Sequence, residues 1–367
     1  MSTHRILSSL LASTLLGLGT QAQADQSPEP APSLRILLTN DDGVNGSGMR
    51  TLRDTLCAAG HQVFISAPSA DRSGSSASLG LNVAFRVTRT EFPCGATTGT
   101  QWAVGGSPSD SVLFGLRMLG AERPDVVISG MNLGQNTGRA VNHSGTVGAA
   151  VTAAEEGVPS IAVSIGLNFQ DAGTGFSQTV AAAPHAAAYV TELIARLHDT
   201  ARPGEGLLPD RVALNVNYPV VLGEDGLFDP ALVEDARVTT VGHAEVVRPT
   251  YTPSPTQPDV YIATGPICGL QVACDPETER HADTTALSEG AISASPLVVD
   301  ESFRPLIRAL TASAASEAGR GAWLRRGWAL APRVAWPRDP EPTPGRSRRP
   351  LPSRAARAAG GSALRTP

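Results

Sequence analysis

The stretch Leu34–Gly43, which reads Leu-Arg-Ile-Leu-Leu-Thr-Asn-Asp-Asp-Gly, constrains the fold more than any other part of the chain. Its first half is a short run of branched apolar residues, the pattern of a buried strand. Its second half turns polar at once, setting Asp41 and Asp42 beside Asn40 and ahead of a glycine. In an open α/β sheet, ligands bind at the carboxyl ends of such strands. Gly43 permits a sharp exit, so both carboxylates can face one crevice. Two adjacent acids repel each other unless a cation sits between them, which points to a hard metal ion. Taken alone, Asp-Asp-Gly reads first as a turn; the downstream sequence shifts the weight.

A helical spacing of Met49, Leu52 and Leu56 predicts a helix over Gly48–Ala59, closed by Gly60. Strands are expected at Gln62–Ala67, Asn82–Thr88 and Gln101–Val104, with Ser69–Leu79 as a loop of small polar residues. Ser107-Pro108 opens a helix that runs to Leu119. Asp125–Ser129 reads as a strand and Gly130–His143 as a long polar loop. Ser144 then caps a helix over Gly145–Glu156. A strand at Ser160–Ile165, a helix at Phe176–Leu197 and a strand at Arg211–Val216 complete the series. This alternation predicts an α/β, Rossmann-like, mostly parallel sheet with helices on both faces. Hydrophobic residues make up 41% of the chain but aromatics only 4%, so the core must be aliphatic.

Past Pro219 the pattern weakens, with Pro and Thr gathered around Arg248–Pro258, a strand at Ala291–Val299 and a short helix at Phe303–Leu310. Such a region reads as an extended C-terminal arm or hairpin that packs on a partner chain. Beyond it, residues 311–367 hold 11 arginines against Glu317, Asp339 and Glu341. The tail therefore carries about +8, and the rest of the chain about −13. Its three tryptophans, Trp323, Trp328 and Trp336, would suit a lipid or nucleic-acid binder. The plainer reading is a disordered Arg/Pro/Ala-rich extension, and no stable nucleic-acid or membrane partner is expected.

At the other end, His4 and Arg5 precede an apolar run, Ile6–Leu18, and Ala22-Gln23-Ala24 supplies a cleavage site. Residues 1–24 are read as a signal peptide and 25–33 as a Pro-rich linker, with export to the periplasm or beyond. In that compartment Cys268 and Cys274 can close a small loop. Cys57, on a helix, and Cys94, read as lying in a turn, allow a second bridge that nothing in the sequence supports.

Three loops follow three strands at one edge of the expected sheet. They carry Asn40-Asp41-Asp42-Gly43, Asp71-Arg72-Ser73-Gly74, and Ser129-Gly130-Met131-Asn132-Leu133-Gly134, the last running on to Ser144-Gly145-Thr146. Oxygen ligands alone suit Mg²⁺, Mn²⁺ or Ca²⁺. The free N–H groups of a helix start at Ser144-Gly145-Thr146 make an anion site. Together they form a clamp for a phosphate ester.

These motifs, with Gly106-Ser107-Pro108-Ser109-Asp110 between them, resemble in order the survival protein SurE family of metal-dependent nucleoside monophosphate phosphatases (5′/3′-nucleotidases). The resemblance spans roughly residues 34–300. It implies metal ligation by Asp41, Asp42, Ser73 and Asn132, with Asp41 and Asp42 as the catalytic acids. It places Asn136, Ser144, Gly145 and Thr146 around the substrate phosphate and Asn40 behind the carboxylates. It also implies one divalent cation (Mg²⁺ or Mn²⁺, with Ca²⁺ open) and a homodimer or homotetramer. The chain departs from the family at His143, where an aromatic is common. A broader acid phosphatase or exopolyphosphatase, and a non-catalytic exported nucleotide or phosphate binder, are the rival readings.

Overall fold

The computed structural model describes residues 33–299. The expected signal peptide and most of the expected linker, the helix expected at Phe303–Leu310 and the basic tail all lie outside the described residues. The chain runs β1 (Arg35–Thr39), α1 (Ser47–Ala58), β2 (Gln62–Pro68), β3 (Val87–Cys94), β4 (Thr97–Val104), α2 (Pro108–Leu119) and β5 (Val126–Leu133). It continues through α3 (Gly145–Glu155), β6 (Ser160–Ile165), α4 (Ser177–Thr200), β7 (Val212–Tyr218) and β8 (Glu234–Val238). The last elements are β9 (Thr250–Pro253), β10 (Tyr261–Thr264), α5 (Asp283–Ser288) and β11 (Ala291–Val298).

Among the described residues, nine strands form one sheet in the order β3-β4-β2-β1-β5-β6-β7-β11-β8. From β4 to β7 every pairing is parallel, while β3 and β11 run antiparallel to their neighbours β4 and β7. The expected mostly parallel α/β sheet is what forms. β1 is central because its side chains are apolar on both faces. Ile36 and Leu38 join the core under α1 and α4, and Leu37 the core under α2 and α3. The chain leaves β1 toward β2 on one side and returns through α2 to β5 on the other. That reversal is the topological switch point, where an open sheet leaves a crevice beyond its carboxyl ends.

Three local differences from the sequence reading have physical causes. The strand expected at Asn82–Thr88 begins only at Val87, which is where Val104 lies opposite and a ladder becomes possible. β5 runs on to Leu133 through a register shift between Ser129 and Asn132, so part of the expected polar loop is strand. Cys94 ends β3 rather than sitting in a turn, and it bonds to Cys57 at the end of α1. Cys268 and Cys274 form the second disulfide. Among the described residues, no helix is long and apolar enough to cross a membrane.

Candidate active site

The register between the two central strands builds the site. Thr39 lies opposite Ser129, so the residues that come next, Asn40–Asp42 after β1 and Gly130–Asn132 in the last part of β5, reach the same end of the sheet. Asn40 makes the turn that aims the acids: its side chain donates to the Gly43 carbonyl at 3.0 Å and accepts from the Gly43 N–H at 3.1 Å. Gly43 has φ +92°, a conformation that a side chain would strain. Asn40 therefore acts on backbone geometry and makes no direct bond to the carboxylates.

Asp41 is buried, and its Oδ1 accepts the Thr146 hydroxyl at 2.6 Å. Burial raises its pKa, against the hydrogen bonds from Thr146 that favour the charged form. Asp42 is half-buried; burial and the charges of Asp41 and Asp71 push its pKa up to about 6. None of the ion pairs among the described residues involves either acid. Among the described residues, the site thus concentrates negative charge with no ion pair to offset it, an arrangement that a cation relieves.

The loop after β2 closes over this pair. The Arg72 N–H donates to the Asp41 carbonyl at 2.7 Å, and Ser76 bonds through its N–H to His143 and through its hydroxyl to Asn142. Within the loop, Ser73 is exposed and its hydroxyl is held by Asp71. The Ser75 hydroxyl is buried and has no hydrogen-bond partner among the described residues. A β-carbon on Gly145 would stand 2.8 Å from the Asp41 β-carbon, 2.9 Å from Asp41 Oδ2 and 3.0 Å from Ser75 Oγ, so only glycine lets α3 approach so closely.

Ser144 accepts the Val147 N–H at 3.1 Å and caps α3, as expected. The first N–H groups of a helix have no acceptor within it, and here they open beside Asp41. Thr146, expected at the substrate, spends its hydroxyl on Asp41 instead. Asn132 is half-buried and donates to the Gly134 carbonyl at 2.6 Å. Asn136 is tied into the ends of β6 and β7: its amide donates to Ser164 at 2.8 Å, and its backbone is clasped by Asn215 and Asn217. His143 is exposed at the end of a short 3₁₀ turn and bears no bond to the acids. Ser107 and Asp110 form a capping box at α2, and Asp110 also holds the Gly80 N–H.

The donors fit a hard divalent cation. Asp41 Oδ2, the Asp42 carboxylate, the Ser73 hydroxyl and the Asn132 amide oxygen would offer it oxygen donors alone, and the Ser75 hydroxyl, without a partner among the described residues, marks a polar space beside Asp41. A different cluster, Glu245 with Cys268 and Cys274, does not fit. Its cysteines are bonded to each other, and Glu245 is paired with Arg139 and Arg248.

Beside this centre a cleft of about 590 Å³ opens between the loops after β6 and β7, the chain before β9, and α5. Leu167, Phe169, Val220 and Leu287 give it apolar walls, and Gln135 and Asn168 supply amides. Gly134 links the two places: a β-carbon there would lie 3.6 Å from Asn132 Nδ2 and 4.0 Å from Leu167 Cδ1.

Fold and site together define an open α/β protein with an acidic, oxygen-lined centre and a helix N-terminus at its switch point. The chain belongs to the survival protein SurE family, whose family model matches residues 36–247. It is 34% identical over 283 residues to the 5′-nucleotidase SurE of Gloeobacter violaceus, covering 76% of this chain and 95% of that one. The 5′-nucleotidase SurE of Aeromonas hydrophila is 35% identical over 294 residues, covering 79% and 98%. The SurE protein of Aquifex aeolicus superposes with a TM-score of 0.51 at 25% identity, over 75% of this chain and 97% of that one.

Proposed function

We propose that this chain is an exported, metal-dependent phosphomonoesterase that hydrolyses nucleoside 5′-monophosphates to nucleoside and phosphate. The observation that carries the reading is the pair Asp41 and Asp42, free of ion pairs among the described residues and set against the first turn of α3. Asp41, Asp42, Ser73 and Asn132 would hold one Mg²⁺ or Mn²⁺. Such a cation supplies polarisation of a phosphoryl oxygen and acidifies an attacking water. The chain does the rest. Thr146 fixes Asp41 in one orientation through a charge-assisted bond. Asp42, the more accessible acid, takes the proton of the water as its oxygen bonds to phosphorus. The bond from phosphorus to the ester oxygen breaks, and Asp42 passes the proton it has taken to that oxygen, so the nucleoside leaves as an alcohol. The Gly145 N–H, at the open first turn of α3, offsets the charge on the remaining phosphoryl oxygens.

The apolar and amide lining of the 590 Å³ cleft suits a nucleoside extending past Gly134 from the phosphate. Two disulfides support an oxidising compartment, and so export. Exposed Tyr251, Tyr261 and Ile262 on the β9–β10 hairpin support packing against a second copy as a homodimer or homotetramer.

The test is phosphate release from 5′-AMP, 3′-AMP, p-nitrophenyl phosphate and short polyphosphate, with Mn²⁺, Mg²⁺ or chelator. Preference for 5′-AMP, lost in chelator, is the expected result. Phe169→Ala should weaken 5′-AMP turnover and leave p-nitrophenyl phosphate untouched. Metal-independent release, or stoichiometric nucleotide binding without release, would refute the reading.

A further inference from the structure

The loop that supplies Ser73 also holds a carboxylate with no role in the scheme above. Asp71 Oδ1 accepts both the Ser73 hydroxyl, at 2.7 Å, and the Ser73 N–H, at 2.8 Å. A serine hydroxyl has one proton and two lone pairs. To ligate a cation it must turn a lone pair inward and send the proton elsewhere. Asp71 receives that proton, and the second bond, from the backbone, fixes the carboxylate relative to the residue it orients. The loop is itself tied to the strand bearing the acids through Arg72 and the Asp41 carbonyl. Asp71 lies near enough to Asp41 and Asp42 for its charge to raise the proton affinity of both.

Two features separate this from direct ligation. The oxygen facing Ser73 already accepts two bonds. Among the described residues, the only grouping of three His, Cys, Asp or Glu ligand atoms within 4.8 Å is the Glu245–Cys268–Cys274 cluster, so Asp71 does not close a three-acid cage. We propose that Asp71 is a positioning residue of the metal centre, the proton acceptor that holds the Ser73 hydroxyl with its lone pairs toward the cation. This rests on Ser73 being a ligand, as read above.

The experiment measures Mn²⁺ affinity of the full-length chain by electron paramagnetic resonance, without substrate, for Ser73→Ala, Asp71→Ala, Asp71→Asn and the Ser73→Ala/Asp71→Ala double variant. Loss of a partner behind a metal ligand typically weakens affinity ~10-fold to ~100-fold. Asp71→Ala should fall in that range, with the double variant no weaker than Ser73→Ala alone. Asp71→Asn keeps an oxygen able to accept both bonds and should bind as the wild type does. If Ser73→Ala weakens binding while Asp71→Ala does not, the inference fails and the ligand assignment stands. If Ser73→Ala binds normally, the ligand assignment fails and takes the inference with it. Equal losses in Asp71→Asn and Asp71→Ala, additive with Ser73→Ala, would assign the effect to charge and overturn positioning.

Discussion

Thr146→Val tests how the centre is held together. The substitution is close to isosteric and removes one atom's chemistry, the hydroxyl that donates to Asp41 Oδ1 at 2.6 Å in a fully buried position. A hydrogen bond to a charged group contributes about 1.5–3 kcal/mol. Removing it withdraws that support from the ionised form of Asp41, the form a cation needs. Because burial already raises the Asp41 pKa, the loss pushes it further in the same direction. Mn²⁺ affinity near neutral pH should drop by ~10-fold to ~100-fold, the equivalent of that bond. The loss should shrink as pH rises, because the proton competes less. Thr146→Ser, which restores the donor, should recover most of the affinity. Calorimetric titration of Mn²⁺ across pH 5.5–8.5 reads all three. Wild-type affinity and an unshifted pH profile in Thr146→Val would refute the claim that this bond keeps Asp41 charged.

Asp42 has a pKa pushed up to about 6 in the folded protein, so folding holds its proton. That contribution is fully present below the unfolded carboxylate range and is lost as pH rises through about 6. In chelator, thermal melts should therefore show Asp42→Asn gaining stability over wild type between pH 4.5 and 7.5. The comparison between the two proteins matters because Asp283, also raised to about 6 by burial, titrates in the same window. Added Mn²⁺ should stabilise wild type increasingly over that range and leave Asp42→Asn unchanged. Gly145→Ala should cost about 1–3 kcal/mol of stability, measured by denaturant melts, because its β-carbon would press on Asp41 and Ser75. Reduction should cost about 4 kcal/mol for the Cys57–Cys94 bridge, whose sequence separation is 37, and about 2 kcal/mol for Cys268–Cys274, whose separation is 6. Melts of the single-bridge serine variants would separate the two.

Much of this architecture is legible in residue order. β1, β2 and β6 are apolar runs bounded by polar residues, glycine or proline, and α2 announces itself through Ser107-Pro108 and Asp110. The segment before β3 shows the limit of pattern: Leu81 and Val83 alternate like a strand yet are 74% and 62% exposed, because no neighbour pairs with them. β5 shows the reverse, with Gly130 and Asn132 looking like loop while lying in a strand that shifts register. The Cys57–Cys94 bridge carries no periodic signal, since it depends on β3 passing the end of α1. In the site, the acids and the Ser144 cap are readable because their chemistry is local. The target of the Thr146 hydroxyl is not, since a residue at a helix start can face ligand or protein and only packing decides. Asp71 had a faint signal, an acid two residues before a serine, the spacing of an Asx turn.

In the proposed reading, the acid pair that follows β1 holds a divalent cation on which phosphate-ester hydrolysis depends. Its most direct test is to measure Mn²⁺ binding and phosphate release from 5′-AMP in the same samples of wild type and Asp41→Asn. Wild type should bind the metal and turn over substrate, with both lost together in Asp41→Asn while the fold is kept. Turnover that persists in a folded Asp41→Asn protein, or that proceeds in chelator, would contradict it.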